Sequence, residues 1–232
     1  LQLCESTLAE WLSANKERDL NTIKDWFRQI VSAVAYIHKM NYIHRDLKPS
    51  NILFSRQTNT YRGEKILKVC DLGIVTDRAI SSEDKGQEVP AERTFAKGTK
   101  MYMAPEQMGW ADYTSKVDIF ALGLILAEML VVMTAERAGE IFNNYRCGRP
   151  NFILADLPEA EAFVAWLTNP DESQRPESSK LEYHKFTQSE QHVKDVAKAL
   201  RIHRGRIRTL ARGLGESRRV RELEAKLAAL SK

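Results

Sequence analysis

Cysteine is scarce: three thiols, Cys4, Cys70 and Cys147, are scattered over 232 residues. So few, so far apart, build neither a disulfide framework nor a zinc site, and they suit a reducing compartment. Long apolar runs are also missing. The longest, Ile119 to Met133, is interrupted by Gly123 and Glu128 and reads as a buried helix rather than a membrane span. No signal-peptide pattern is visible, and no internal repeat. What remains is the composition of a globular chain, 43% hydrophobic and 28% charged, long enough for one large domain or a domain with an appendage. The charge is lopsided. Residues 190–232 hold 12 Lys/Arg against 5 Asp/Glu, whereas the whole chain is only +4. The basic balance therefore belongs to the tail.

Local patterns place the elements. Thr7-Leu8-Ala9-Glu10 is a capping box that opens a short helix through Trp11 and Leu12. Asn21-Thr22 is expected to cap a second helix, with Ile23, Phe27, Ile30, Val34 and Ile37 on its buried face. Residues 51–54 and 66–69 are short β-rich runs around a polar turn at 59–63, the pattern of a hairpin. Residues 74–99 are polar and rich in turn formers, and read as a long mobile loop. Asp118 to Val132 reads as a dense apolar helix. Ala135 to Arg146 and Ala160 to Leu167 read as amphipathic ones.

Three blocks carry chemistry: Ile43-His44-Arg45-Asp46-Leu47-Lys48-Pro49-Ser50-Asn51, then Asp71-Leu72-Gly73, then Ala104-Pro105-Glu106. Phosphoryl transfer needs a carboxylate to orient a hydroxyl, hard oxygen ligands for a metal, and a cation on the moving phosphate. Asp46, Asn51, Asp71 and Lys48 are those residue types. In this order the blocks resemble the catalytic half of protein kinases. The resemblance implies ATP and Mg2+ as cofactors. Asp46 would orient the substrate hydroxyl, Lys48 would neutralise the γ-phosphate, and Asn51 and Asp71 would chelate magnesium. His44 and Leu72 would pack the two loops together. Lys48 favours Ser/Thr over Tyr specificity. Asp-Leu-Gly stands where the family usually has Asp-Phe-Gly, which keeps an apolar plug and the metal-binding carboxylate. Thr99, after Gly98, resembles the threonine that bonds the catalytic Asp and Lys. Thr94 and Thr99 are the candidate phosphosites. A phosphate on Thr94 would pair with Arg45; the alternative is a solvated loop threonine. Glu106 and Arg175 resemble a buried ion pair, and Asp118 resembles the helix residue that anchors the catalytic-loop backbone.

The phrases at residues 45–52, 98–107 and 116–126 resemble one subfamily, the kinases of the alpha subunit of translation initiation factor two. The resemblance leans toward the pancreatic, endoplasmic-reticulum stress-sensing branch, with the double-stranded-RNA-activated branch close behind. It implies a serine of the initiation factor as substrate and slower translation under stress. It also implies docking on the helix around Glu136 and Phe142, and a homodimer in the full-length parent. The location implied is cytoplasmic, with a parent anchored in the endoplasmic reticulum membrane and the kinase facing the cytosol.

The expected fold is mainly α: a C-terminal lobe over 1–188, a helical bundle with a small β-hairpin at the cleft, then a basic helical or partly disordered tail over 189–232. On the resemblance Leu1 aligns with the gatekeeper, Gln2 to Cys4 with the adenine-binding hinge, and Leu53 with the cleft floor. The Gly-rich loop, the strand lysine and the helix glutamate would precede Leu1. The expectation is therefore a fragment, nearly inactive without its partner lobe. The alternative is an inert lobe acting as a dimerising or inhibitory module. In the tail, Arg201, Arg204, Arg206, Arg208, Arg212, Arg218, Arg219 and Arg221 accompany a seam of Val220, Leu223, Leu227 and Leu230. A solvated extension and a weak nucleic-acid or acidic-surface contact both fit, though aromatic residues are not interleaved. His184, His192 and His203 read as surface residues rather than metal ligands.

Overall fold

Thr7 ends one element and begins the next. Its hydroxyl accepts the Glu10 N–H at 3.1 Å, and the Glu10 carboxylate accepts the Thr7 N–H at 2.7 Å. This reciprocal box closes strand β1 (Cys4–Thr7) and opens helix α1 (Leu8–Ala14). The computed structural model describes residues 4–59, 64–71, 76–77, 99–108, 113–149, 151–188, 201–202, 204–207 and 226. By contact the chain divides into Leu1–Thr187 and Gln188–Lys232.

Helix α2 (Leu20–Lys39) is capped by Asp19, not by Asn21-Thr22. The Asp19 carboxylate accepts the Thr22 N–H at 2.7 Å and the Thr22 hydroxyl at 2.6 Å. A carboxylate at a helix N-terminus also meets the positive end of the helix dipole. Bonding to Thr22 holds the Asp19 carboxyl below its ordinary pKa. Ile23, Phe27, Ile30 and Val34 are buried as their spacing predicts, together with Trp26, Val31, Ala35 and His38; Ile37 is half-buried.

Strand β2 (Tyr42–Ile43) follows, then β3 (Ile52–Asn59) and β4 (Glu64–Val69). The hairpin pairs Ile52 with Val69, Leu53 with Lys68 and Phe54 with Leu67. β1 adds antiparallel to the other side of β3, which gives the order β1-β3-β4. Strand β5 (Thr76–Asp77) returns to pair with β2. Trp26 stacks edge-on against Trp11 at 4.8 Å and Phe54 at 4.9 Å, joining α2 to α1 and β3.

The core is built around α3 (Lys116–Leu130), which is buried on every side from Val117 to Ala127. Helix α4 (Ala135–Arg146) has the limits the sequence predicts. α5 (Pro158–Leu167) begins two residues earlier than expected, because proline is well suited to the first helical turn. α6 (Ser178–Leu181) is a single turn. At Gly123 the helices α3 and α5 nearly touch: a Cβ there would lie 2.5 Å from Thr168 Cγ2 and 2.9 Å from Leu167 Cβ.

Arg175, with no exposed side-chain surface, forks onto Glu106 at 2.5 and 2.9 Å. Its other donors reach the carbonyls of Asn169, Pro170 and Lys116, and it lies 4.8 Å over the Phe120 ring. Every arm of the guanidinium is thus used. The pair ties the 3-10 turn Pro105–Met108 to the helical body.

His184 is not the surface residue expected. It is half-buried, stacks 4.5 Å from Phe163, and accepts the Phe186 N–H through Nδ1 at 3.2 Å. Burial pushes its pKa down. In the second unit, residues 201–202, 204–207 and 226 are helical, and Arg201 is exposed. The 220–230 seam as a whole, His192 and His203 lie outside the described residues, as do Gln2, Leu72, Thr94 and most of 74–98.

Three stability measurements by chemical denaturation test this account. Asp19→Ala is expected to cost about 1 kcal/mol at neutral pH. The bonded carboxylate has a depressed folded-state pKa, so its contribution is present above the ordinary carboxylate pKa and fades as the pH falls through the folded one. The variant and the parent should therefore converge in acid. Gly123→Ala, favourable in an exposed helix, should here lose about 1–3 kcal/mol by overpacking. Glu106→Ala should lose about 3–5 kcal/mol by stranding the Arg175 charge.

Candidate active site

The loop between β2 and β3 carries Asp46, Lys48 and Asn51. What holds it is one carboxylate. Asp118, 1% exposed in the first turn of α3, accepts the His44 N–H at 2.8 Å and the Arg45 N–H at 2.9 Å. His38 of α2 brings Nε2 within 2.8 Å of the same carboxylate, and its Nδ1 lies 3.0 Å from the Ser178 hydroxyl. Both contacts are satisfied when Nε2–H donates to Asp118 and Nδ1 accepts from Ser178. This anchoring fixes Arg45 at a φ of +71°, a conformation costly for a side chain with a Cβ.

The reactive groups converge at the next residue. Asp46 is 8% exposed. Lys48 Nζ donates to its carboxylate at 2.7 Å. Asn51 Nδ2 donates to the Asp46 carbonyl at 2.8 Å and to its carboxylate at 3.2 Å. With its amide nitrogen turned to Asp46, Asn51 has its side-chain oxygen left as the acceptor.

The residue before Asp71, Cys70, is tied to the loop by its backbone. The Cys70 N–H donates to the Asn51 carbonyl at 2.9 Å, and the Cys70 carbonyl lies 2.9 Å from His44 Nε2. His44 is fully buried, so one ring joins the loop to the segment bearing Asp71. Asp71 is exposed and has a φ of +63°. Burial pushes the Cys70 thiol up, and the neighbouring Asp71 charge adds to this.

The oxygen set Asp46, Asn51 and Asp71 suits a hard cation such as Mg2+, which binds through one or two carboxylates and completes its shell with water and phosphate. No cluster of three or more His, Cys, Asp or Glu side chains that could hold a metal occurs among the described residues. Nucleotide binding was expected at Cys4 and Leu53 too. They lie on β1 and β3 of the same small sheet, and both are half-buried.

Beyond the loop the structure adds residues that pattern reading missed. Gln107 accepts the Ala104 N–H at 2.9 Å and donates to the Arg45 carbonyl at 3.2 Å, joining the third motif to the first. Tyr102 donates to Glu128 at 2.5 Å. Burial pushes both groups up, and Arg18 partly offsets this for Glu128. The sequence marked Glu128 only as a break in an apolar run. Arg45 lies 5.4 Å over the Tyr113 ring, and its buried Nε has no hydrogen-bond partner among the described residues. Thr99 starts the 3-10 turn Thr99–Tyr102. Of the expected docking pair, Glu136 is exposed, but Phe142 is fully buried with its ring 5.5 Å from Tyr102. Phe142 therefore faces the core. The 3.6-residue period places it on the apolar side of α4, opposite any face offered to a partner.

Comparison with known proteins agrees with this geometry. A family model described as the protein kinase domain matches residues 1–187. The chain is 38% identical over 196 residues to the eukaryotic translation initiation factor 2-alpha kinase pek-1 of Caenorhabditis elegans, covering 81% of this chain and 18% of that protein. It is 35% identical over 191 residues to eukaryotic translation initiation factor 2-alpha kinase 3 of Bos taurus, covering 78% and 16%. It is also 35% identical over 185 residues to the interferon-induced, double-stranded RNA-activated protein kinase of Mus musculus, covering 78% and 33%. The chain thus spans less than a fifth of the first two relatives. Among solved structures, the Rad53 kinase domain with SCD2 superposes with a TM-score of 0.57 at 23% identity, covering 79% of this chain and 64% of that one, a likeness of fold. The chain belongs to the protein kinase domain family.

Proposed function

We propose that this chain is the catalytic-loop half of a Ser/Thr protein kinase that phosphorylates the alpha subunit of translation initiation factor two. The observation that carries the reading is the convergence of Lys48 and Asn51 on the Asp46 carboxylate, on a loop anchored by Asp118. The kinase relatives named above support this choice of substrate.

The chemistry follows from the side chains. Asp46 receives the serine hydroxyl and orients its oxygen for in-line attack. Lys48, now on Asp46, has a flexible stem and a point charge suited to a phosphate oxygen within reach. Asn51 and Asp71 would hold Mg2+. ATP supplies the γ-phosphoryl group, and Cys4 and Leu53 would line its adenine end. Arg45, whose buried Nε has no hydrogen-bond partner among the described residues, would take an anion such as a phosphorylated Thr94. The same reading puts the full-length parent at the cytosolic face of the endoplasmic reticulum as a homodimer, with the basic tail making a weak contact with an acidic surface.

The test is a phosphate-transfer assay with the full-length protein that carries this chain and the purified alpha subunit. Asp46→Asn should lower kcat about 100-fold or more while leaving the fold and the KM for ATP close to the parent's. Equal kcat in the variant would remove Asp46 from its role. A folded parent without activity would favour the inert, dimerising or inhibitory lobe.

A further inference from the structure

Arg146, the last residue of α4, does not point into solvent. Its Nε donates to the Met103 carbonyl at 2.9 Å, and one terminal nitrogen reaches the carbonyls of Lys100, at 3.2 Å, and Met101. All three partners are main-chain oxygens. Burial pushes the guanidinium pKa down, with only the neighbouring Cys147 acting against it. A partly buried cation with no carboxylate partner among the described residues is an unusual choice for mere packing.

The gripped segment has a second tether to α4. The Tyr102 ring packs against Phe142, and its hydroxyl is bonded to Glu128 of α3. The chain then runs directly into Ala104, whose N–H is taken by Gln107, and Gln107 reaches the Arg45 carbonyl next to Asp46. α4 is thereby connected to the catalytic loop through side chains that bond backbone atoms at each step. The opposite face of α4, with Glu136, Arg137, Glu140 and Asn143, is exposed.

We infer that Arg146 is a positioning residue for the protein substrate: its fork sets residues 100–103 relative to α4, so that a protein engaging the exposed face of α4 is aligned with Asp46. This rests on the kinase reading above. Arginine suits the task because one planar group can bond several carbonyls in a fixed geometry. Lysine offers a point charge on a flexible stem.

The experiment uses the full-length protein that carries this chain, with R146A and R146K. Initial rates are measured with the alpha subunit and with a short serine peptide of its acceptor sequence, alongside amide exchange. R146A is expected to raise the KM for the subunit about tenfold, leaving the KM for ATP unchanged and the peptide little affected. The Met103 amide, bonded to the Lys100 carbonyl at 3.3 Å, should exchange faster, while the amides of α3 hold. R146K should restore only a small part of the loss. An unchanged subunit KM, an unchanged Met103 exchange, or full rescue by lysine would each overturn the inference. Should R146A lose α3 protection, R146K carries the same two readouts. If the parent does not phosphorylate the subunit, the kinase reading fails, and Met103 exchange still decides whether Arg146 orders the segment.

Discussion

Everything at the site depends on one carboxylate buried in the core. Asp118 is buried in α3, and its two oxygens accept two loop amides and a histidine. Those bonds compensate its desolvation and hold Arg45 in a backbone conformation that the loop alone would not adopt. Because α3 is enclosed by the other elements, the anchor inherits the rigidity of the core. The reactive side chains can then sit on a loop and still be placed as if on a regular element.

Around that anchor, main-chain groups are satisfied by side chains from distant parts of the chain. Gln107 serves the first motif, Arg146 the turn between loop and motif, His44 the segment before Asp71, and Arg175 the carbonyls of Lys116, Asn169 and Pro170. Irregular backbone is tolerable inside a protein only when its polar groups find partners. Arginine, glutamine and histidine supply those partners because each spans several ångströms with directed donors.

Much of this was legible from the sequence wherever the signal was local. The Thr7–Glu10 box, the limits of α4, the β3–β4 hairpin and the catalytic loop all rest on residues close together in the chain. Glu106 with Arg175 and Asp118 with the loop backbone were readable only through the family resemblance, since 69 and 74 residues separate those partners. Contacts without a motif were not readable at all. His38 on the buried face of α2 looks like any half-polar core residue until Asp118 and Ser178 close on it. Arg146 looks like a basic residue at a helix end. Asp19 competes as a cap with Asn21 and Thr22, and only the backbone path selects it. For Phe142 the family's docking helix misled, because about 120° of helix rotation separates it from Glu136 and turns its ring to the core.

The near-contact of α3 and α5 at Gly123 has a mechanical meaning. With hydrogen in place of a side chain, the α3 backbone meets the Thr168 methyl and Leu167 Cβ directly, with no room left for a further carbon. The crossing behaves as a keyed joint: it fixes registry and gives no play. Any shift of one helix past the other would have to break it outright.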